Sequence, residues 1–275
     1  MSWTPHLDTA VAALIRRVAA EAIAPRYRQL SAQDVTAKAA DDVVTVADTH
    51  AERLLTEGLS ALLPEAAVVG EEAAHAEPAI MERLREGLCW IIDPLDGTNN
   101  FAAGKPPFGV LIALAEDGDC VAGWIYDVLS GRLCTAQRGR GAFVDGAPVT
   151  ATATAAATGQ QPPVAAVSTV FMDAAQREAM RQHILPHYTV VDIPRCAAEQ
   201  YPRLVLGVND VSIFERTLPW DHAAGVLFVN EAGGKAARPD GRPYRVDQIG
   251  ERGLIGASTP ALFAAMAERL ASLPA

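Results

Sequence analysis

Long apolar runs, clustered cysteines and an excess of basic residues are all missing from this sequence of 275 residues. No apolar stretch approaches the roughly 20 residues of a membrane-spanning helix, and the first six residues lack the basic start and apolar core of a signal peptide. Lys and Arg number 23 against 33 Asp and Glu, which gives a formal net charge of −10. These absences argue against a membrane or a nucleic acid as the main partner.

Cysteine is scarce, and its spacing argues against two further classes of protein. The four residues do not form a Cys-x-x-Cys pair; they are Cys89, Cys120, Cys134 and Cys196. Four scattered cysteines in a chain of this length suit reduced thiols better than a disulfide framework or a structural zinc site. The pattern predicts reduced thiols and a cytoplasmic protein.

The rest of the composition is that of an ordinary globular protein. Half of the residues are hydrophobic (50%) and 20% are charged, which excludes a largely disordered chain. The length allows one large domain or two small ones.

Residues 1–150 are predicted to form an α+β subdomain. Apolar residues at helical spacing between Val11 and Ile23 predict a first helix, and a second is expected between Asp48 and Pro64. Short apolar runs follow, and the acidic turn at 116–119 predicts a β-hairpin. This half is therefore expected to contain an antiparallel sheet.

The second half is expected to be an α/β subdomain over residues 164–275. The low-complexity stretch 151–163 ends in two prolines and is interpreted as a linker or loop. Beyond it, short apolar strands alternate with helical stretches, which is typical of an α/β arrangement.

The segment Trp90–Phe101 carries the strongest chemical signal. An apolar strand runs into Asp93-Pro-Leu-Asp96-Gly97-Thr98, so two carboxylates follow each other closely at the strand end. Two neighbouring anions repel unless a proton or a cation separates them, and an all-oxygen donor set favours Mg²⁺ or Mn²⁺. The alternative is a turn whose aspartates only cap the next helix.

Three further acidic positions have the same two interpretations. Glu71 follows the apolar run 67–70, Asp48 ends the segment 42–48 before a helix, and Asp221 begins an apolar helix. Each could contribute to a metal site; alternatively, Glu71 belongs to a solvated turn and the two aspartates are N-caps.

Taken together and in this order, these motifs resemble those of the inositol monophosphatase family, which comprises Mg²⁺-dependent, lithium-sensitive sugar-phosphate phosphatases. The resemblance covers nearly the whole chain, and two segments carry most of its specificity, W-x-x-D-P-L-D-G-T-x-N-F at 90–101 and P-W-D-x-A-A-G at 219–225. It implies the layered αβαβα sugar-phosphatase fold of the α/β class, a small phosphorylated metabolite as substrate, and a homodimer.

The resemblance also implies a role for each matching residue. The first metal would be held by Glu71, Asp93 and the carbonyl of Leu95. The second would be held by Asp93, Asp96 and Asp221, and Glu71 would share a third. Asp48 and Thr98 would orient and deprotonate the attacking water, and the backbone N–H groups of Gly97 and Thr98 would bind the phosphate.

The sequence departs from the family in the expected substrate wall. Arg195 falls where inositol phosphatases have Gly, and it is either a cation for a second anionic group or a surface arginine. Seven residues before Asp221, where those enzymes have a sugar-binding Glu, the chain has Phe214, with Glu215 beside it. Either the loop has slipped by one residue and Glu215 is the substrate-binding residue, or that contact is missing. Both departures weaken inositol monophosphate as the substrate.

Several alternatives stay open. The substrate could be fructose 1,6-bisphosphate, an adenosine bisphosphate or histidinol phosphate, and a regulatory protein-binding role is the alternative to an enzyme. Lys38 is interpreted as a solvated surface lysine, with reach to the carboxylates as the other interpretation. His222 and Cys196 are interpreted as packing residues.

Overall fold

The computed structural model describes residues 5–39, 42–158 and 161–273. Two sequence predictions fall partly outside these ranges. The prediction that the start of the chain is not a signal peptide includes residues 1–4, and the expected linker includes residues 159–160. Within them, no helix combines the length and the apolarity needed to cross a membrane.

The first two helices follow the predicted apolar pattern. Helix α1 (Pro5–Val18) continues as a π-helical turn (Ala19–Ile23) and a 3₁₀ turn (Ala24–Arg26), and it packs against α2 (Val46–Leu62). Helix α2 begins earlier than predicted, because Thr45 is its N-cap and accepts a hydrogen bond from the backbone of Ala47.

The remaining helices and strands alternate along the chain. The other α-helices are α3 (Glu71–Ala76), α4 (Thr98–Ala102), α5 (Ala155–Thr158), α6 (Ala174–Ala179), α7 (Ala197–Val205), α8 (Pro219–Glu231) and α9 (Pro260–Ala271). Short 3₁₀ turns lie at Ala32–Asp34, Pro78–Leu84 and Leu185–His187, and a π-helical turn lies at Met180–Ile184. A small antiparallel hairpin, which the sequence did not predict, is formed by β1 (Val35–Ala39) and β2 (Asp42–Thr45).

A seven-stranded sheet dominates the first half. Its strands, in spatial order, are β3 (Ala67–Gly70), β4 (Leu88–Asp96), β5 (Gly109–Glu116), β6 (Asp119–Asp127), β7 (Leu133–Gln137), β8 (Gly141–Val144) and β9 (Ala147–Val149). The β3–β4 pair is parallel and the other pairs are antiparallel. The predicted hairpin joins β5 to β6 through Asp117 and Gly118, both at positive φ.

The second half contains a mixed five-stranded sheet. Its strands, in spatial order, are β11 (Thr189–Val191), β10 (Val164–Val167), β12 (Val211–Phe214), β14 (Leu254–Ala257) and β13 (Lys235–Ala237). The segment before it contains α5, and the Asp210 carboxylate accepts hydrogen bonds from the backbone N–H groups of Thr154 and Val164 at 2.8 Å each. The division into two subdomains stays a prediction.

Three hydrophobic clusters stack these elements into the expected αβαβα layers. Along β4, Trp90 and Ile92 pack in the cluster with α1 and α2, whereas Ile91 packs with α7 and α8 on the opposite face. Helices α7 and α8 also contact the smaller sheet, whose other face packs on the π-helical turn Met180–Ile184 and on α9. The fold class and the layer order are confirmed.

The α7–α8 contact depends on one glycine. A Cβ on Gly225 would lie 2.0 Å from the ring of Tyr201, which is fully buried. The glycine of P-W-D-x-A-A-G therefore allows α8 to lie close against α7, and this packing places the start of α8 beside the end of β4.

Candidate active site

Four segments bring acidic side chains to one region at the boundary of the two halves. The hairpin strand β2 leads to Asp48, β3 leads to Glu71, β4 ends with Asp93 and Asp96, and the first turn of α8 holds Asp221. The last four line a cavity of about 380 Å³. Neither Asp48 nor Asp221 is the N-cap residue of its helix. Asp48 does take part in capping, because it is the third residue of a capping box and accepts a hydrogen bond from the backbone N–H of Thr45, whereas the capping interpretation is wrong for Asp221.

A bulge in β4 places both of its aspartates in the cavity. Asp93 pairs with Leu111 and Asp96 with Gly109, so β4 has one extra residue between these pairs. In a regular strand, residues three apart point to opposite faces of the sheet. The extra residue in the bulge brings the side chains of Asp93 and Asp96 to the same face. The Asp93 carboxylate also accepts a hydrogen bond from the backbone N–H of Leu95 at 3.0 Å, within the bulge.

Glu71, Asp93 and Asp221 form the part of the site best suited to a metal ion. One carboxylate oxygen from each lies within 4.8 Å of the others. Burial raises the pKa of Asp93 well above its usual range, and the neighbouring carboxylates raise it further. Such a set of hard oxygen donors, with repulsion that a cation would relieve, fits a divalent ion such as Mg²⁺.

Asp96 lies in the same cavity but outside this close triad. Its Oδ2 accepts hydrogen bonds from the backbone N–H of Ala198 at 2.6 Å and from the Cys196 thiol at 3.0 Å. Burial raises the pKa of Asp96 to about 6. These two contacts join β4 to the start of α7 and hold Oδ2 in place.

Asp48 and Thr98 are in direct contact, as the resemblance implied. Thr98 Oγ1 lies 3.0 Å from Asp48 Oδ1 and 2.8 Å from the carbonyl oxygen of Leu95. Asp48 is only 1% exposed and lies behind Thr98, which lines the cavity. Burial raises the pKa of Asp48 to about 6, against the lowering effect of hydrogen bonds from Thr45 and Thr98. Such a carboxylate is ionised but still basic at neutral pH.

Gly97 turns the chain from β4 into α4 in the left-handed conformation, with φ of 82°. A Cβ there would lie 2.9 Å from the carbonyl oxygen of Pro107 and 3.3 Å from Cβ of Cys196. Glycine is therefore required for both conformation and space. The turn leaves Gly97 and Thr98 on the cavity wall beside Asp96.

Lys38 is not a solvated surface lysine, so that interpretation is wrong. Its ammonium lies 3.1 Å from Glu71 and 2.6 Å from Glu72, and its side chain is 6% exposed. Burial alone would lower the pKa of Lys38, but the two carboxylates raise it above its usual range. Lys38 therefore brings one positive charge to the edge of the acidic cluster.

Glu52 holds in place the turn from β3 into α3, where Glu71 lies. Glu52 was not predicted from the sequence. Its two carboxylate oxygens accept hydrogen bonds from the backbone N–H groups of Glu72 and Ala73, both at 2.8 Å. A Cβ on Gly70 would lie 2.4 Å from the Glu52 carboxyl carbon, so Gly70 makes room for it. Its position one helical turn after Asp48 on α2 is the signal that could have identified it.

The two residues that the sequence predicted to contact the substrate, Arg195 and Glu215, both line the cavity. Arg195 is exposed and has a positive φ of 54°, and Glu215 is half-buried beside it on the wall. Glu215 Oε1 lies 3.5 Å from Gln176 Nε2 and 3.7 Å from Arg252 Nη1. Phe171 lines the same wall, and the sequence analysis missed it because it belongs to no motif.

His222 and Cys196 have the packing roles that were predicted for them. The two ring nitrogens of His222 lie 2.6 Å from the Tyr201 hydroxyl and 2.9 Å from the carbonyl oxygen of Arg216. Burial lowers the pKa of His222 to about 3, so it is neutral. Burial also raises the pKa of the Cys196 thiol well above its usual range, which makes it a poor nucleophile.

Comparison with known proteins agrees with this geometry. The model of the inositol monophosphatase family matches residues 4–274. A histidinol-phosphatase from Chlorobaculum parvum is 34% identical, with 78% of this chain and 80% of that protein covered. An inositol-1-monophosphatase from Mycobacterium leprae is 32% identical, with 93% and 88% covered.

A solved structure gives the same result for the fold. The extragenic suppressor protein suhB from Bartonella henselae superposes with a TM-score of 0.79 at 25% identity, covering 97% of this chain and 99% of that one. The match extends over all layers of the molecule. This chain belongs to the inositol monophosphatase family.

Proposed function

We propose that this protein is a Mg²⁺-dependent phosphomonoesterase acting on a small phosphorylated metabolite. The observation that carries the proposal is the convergence of Glu71, Asp93 and Asp221 within 4.8 Å, beside the Asp48–Thr98 pair. A cluster of carboxylates that could hold divalent ions, next to a basic carboxylate, suits metal-dependent hydrolysis of a phosphate ester. Similarity to proteins named histidinol-phosphatase and inositol-1-monophosphatase supports the same reaction class.

The donor set supports two or three Mg²⁺ ions, with Mn²⁺ as a substitute. Bound divalent ions would neutralise charge on the phosphoryl oxygens and lower the pKa of a bound water. The first would be held by Glu71, Asp93 and the Leu95 carbonyl, and the second by Asp93, Asp96 and Asp221. A third would share Glu71, whose carboxylate contacts Lys38.

Side-chain and backbone groups of the protein have separate roles in hydrolysis. Asp48, with its pKa near 6, accepts the proton of the attacking water through the Thr98 hydroxyl. The backbone N–H groups of Gly97 and Thr98 bind the phosphate, and Arg195 and Glu215 contact the alcohol half of the substrate. The four free thiols favour a reducing compartment such as the cytoplasm, and the homodimer is proposed by analogy with the family.

Similarity to an extragenic suppressor protein motivates a second candidate, a regulatory protein-binding role. Retention of every catalytic carboxylate expected from the resemblance favours the enzyme; these are Asp48, Glu71, Asp93, Asp96 and Asp221. A pure binding protein has no need for a buried aspartate with a raised pKa at the rim of a cavity.

The deciding experiment is phosphate release from a panel of phosphomonoesters, with Mg²⁺ and with EDTA. The panel contains inositol 1-phosphate, fructose 1,6-bisphosphate, an adenosine bisphosphate and histidinol phosphate. We expect EDTA-sensitive turnover, abolished in Asp93→Asn and retained in Asp240→Asn, whose carboxylate is exposed and paired with Arg242. No turnover from the folded protein on any compound would favour the regulatory role.

A further inference from the structure

One part of the cavity wall carries four apolar side chains. We define the outer wall as Val170, Phe171, Ile193 and Phe214, with Arg195, Glu215 and Arg216 among them. Phe171 is 41% exposed and Val170 is 45% exposed, so two adjacent apolar side chains lie open at the mouth of the site. Exposed apolar side chains in a ligand cavity mark a contact surface.

Given the proposed function, on which this inference rests, we propose that the substrate is a phosphomonoester whose alcohol half carries an aromatic ring. A polyol such as inositol has a hydroxyl on every carbon, and each needs a hydrogen-bond partner when it is buried. Val170, Phe171, Ile193 and Phe214 provide none. A site of this kind discriminates against a hydroxylated ligand and favours a planar apolar one.

Phe214 provides a rigid surface for such a ring. Its own ring stacks on Tyr201 at 5.1 Å between centroids and meets His222 edge-on at 4.9 Å. Because these buried neighbours already fix the Phe214 side chain, ligand binding costs little side-chain entropy there. Phe214 is the last residue of β12, and Glu215 next to it lines the same cavity, so an aromatic ring and a single carboxylate stand side by side here.

Phe171 and Arg216 extend this surface towards the carboxylates. The guanidinium carbon of Arg216 lies 4.3 Å from the centroid of the Phe171 ring, and Arg216 Nη2 lies 3.9 Å from Asp221 Oδ2. The Phe171 ring and the Arg216 guanidinium therefore form a row of planar groups between the cavity mouth and Asp221. A ring on the alcohol half would lie along this path while its phosphate reached Gly97 and Thr98.

The nearest carboxylate on the wall does not restore a polyol site. Glu215 Oε1 already lies within 3.7 Å of both Gln176 and Arg252, and the Glu215 side chain is 12% exposed. It can accept one or two hydrogen bonds from a substrate. It cannot satisfy a ring of hydroxyls.

The test compares kcat/KM for ring-bearing and polyol substrates at saturating Mg²⁺. Adenosine 2′-monophosphate supplies a neutral purine and histidinol phosphate supplies an imidazole; inositol 1-phosphate and glycerol 2-phosphate are the polyols. We expect at least one ring substrate to exceed both polyols by about tenfold or more in kcat/KM. Comparison of adenosine 2′-monophosphate with histidinol phosphate distinguishes a preference for a purine from a preference for an imidazole.

Variants of the outer wall then test its role directly. Phe171→Ala should lower the ring-to-polyol ratio of kcat/KM by about tenfold, mainly through KM, and Phe171→Leu should lower it less. Leu129→Ala, an exposed leucine that does not line the cavity, should leave the ratio unchanged. A preference of the wild-type protein for polyols, or an unchanged ratio in Phe171→Ala, would overturn the inference.

Measurements of ligand affinity test this inference independently of the proposed function. Calorimetry with Asp48→Asn and Mg²⁺ measures the affinity for adenosine 2′-monophosphate, histidinol phosphate and inositol 1-phosphate without turnover. Tighter binding of a ring-bearing ester supports the outer wall as a ring site even if no wild-type turnover is found. Tighter binding of inositol 1-phosphate than of both ring esters contradicts it, whether or not the protein is a phosphatase.

Discussion

The Asp48–Thr98 pair gives the sharpest test of mechanism at the scale of single residues. Asp48 is buried and reaches the cavity only through the Thr98 hydroxyl, at 3.0 Å. We therefore expect Thr98→Val to lower kcat almost as much as Asp48→Asn, by about 10²- to 10⁴-fold, since either change interrupts one proton path. Steady-state kinetics on the preferred substrate measures both.

The matched control for this pair is Thr98→Ser, which keeps the hydroxyl and should keep most of the activity. The double variant Asp48→Asn with Thr98→Val should be little worse than either single variant, because the two residues act as a unit. Additive losses in the double variant would mean that Asp48 and Thr98 act separately.

The chemistry-bearing residues were predictable from the sequence, but their surroundings were not. Asp93, Glu71 and Asp221 follow recognisable motifs, and the structure brings all three together. Lys38 was misjudged because an isolated lysine is normally solvated, and only the pairing of β1 with β2 places it against two glutamates. Phe171 lies in a turn, where no periodicity indicates which side chain enters a cavity.

At the scale of elements, the contact between α2 and α3 determines where Glu71 lies. Glu52 on α2 accepts hydrogen bonds from two backbone N–H groups in the first turn of α3, those of Glu72 and Ala73, and burial raises the pKa of Glu52. We expect Glu52→Gln to weaken Mg²⁺ binding by about 10- to 100-fold, because the amide offers only one accepting oxygen and the turn that carries Glu71 shifts. Calorimetric titration with Mg²⁺ measures the affinity.

Glu57→Gln is the control on the same helix. Glu57 is exposed and forms an ion pair with Arg53 that is worth little in water. Its removal should leave Mg²⁺ affinity within the error of wild type. Equal Mg²⁺ affinity in Glu52→Gln and Glu57→Gln would show that the Glu52 contacts stabilise the fold without positioning Glu71.

The helices and long strands were predictable because their apolar periodicity extends over several turns or residues. Seven of the shorter strands were missed (β1, β2, β7, β8, β9, β12 and β13), and so were the short helices α3 and α5. β12, for example, has only four residues and owes its stability to pairing with β10 and β14, which are distant in sequence. The bulge in β4 was also invisible, since it depends on the register with β5.

At the scale of the whole molecule, the layered fold brings like charges together and thereby links stability to metal and pH. Acidic residues from both halves meet at one cavity, and none of them can move away without disturbing a sheet or a helix start. The repulsion among Glu71, Asp93 and Asp221 is therefore part of the folding free energy. A divalent ion bound by the folded state alone should remove this cost.

This link predicts a pH-dependent stabilisation by Mg²⁺. Asp48 and Asp96 have folded-state pKa values raised from 3.8 to about 6, so the stability they contribute is fully present below 3.8 and is lost as the pH rises through about 6. The metal-free protein is thus penalised most at neutral pH, where Mg²⁺ also competes with fewer protons. At about 100 times its Kd, Mg²⁺ should raise Tm by about 5–10 °C at about pH 8 and by clearly less at about pH 5.

Thermal unfolding in EDTA and in Mg²⁺, at matched ionic strength and at both pH values, measures the effect. Asp93→Asn should lose most of the Mg²⁺-induced rise in Tm at either pH, because it removes the central ligand and part of the repulsion at once. It should also be more stable than wild type in EDTA at about pH 8, since one buried anion is gone. A rise in Tm that is equal at the two pH values, or that persists in Asp93→Asn, would place the stabilising ion elsewhere on this acidic protein.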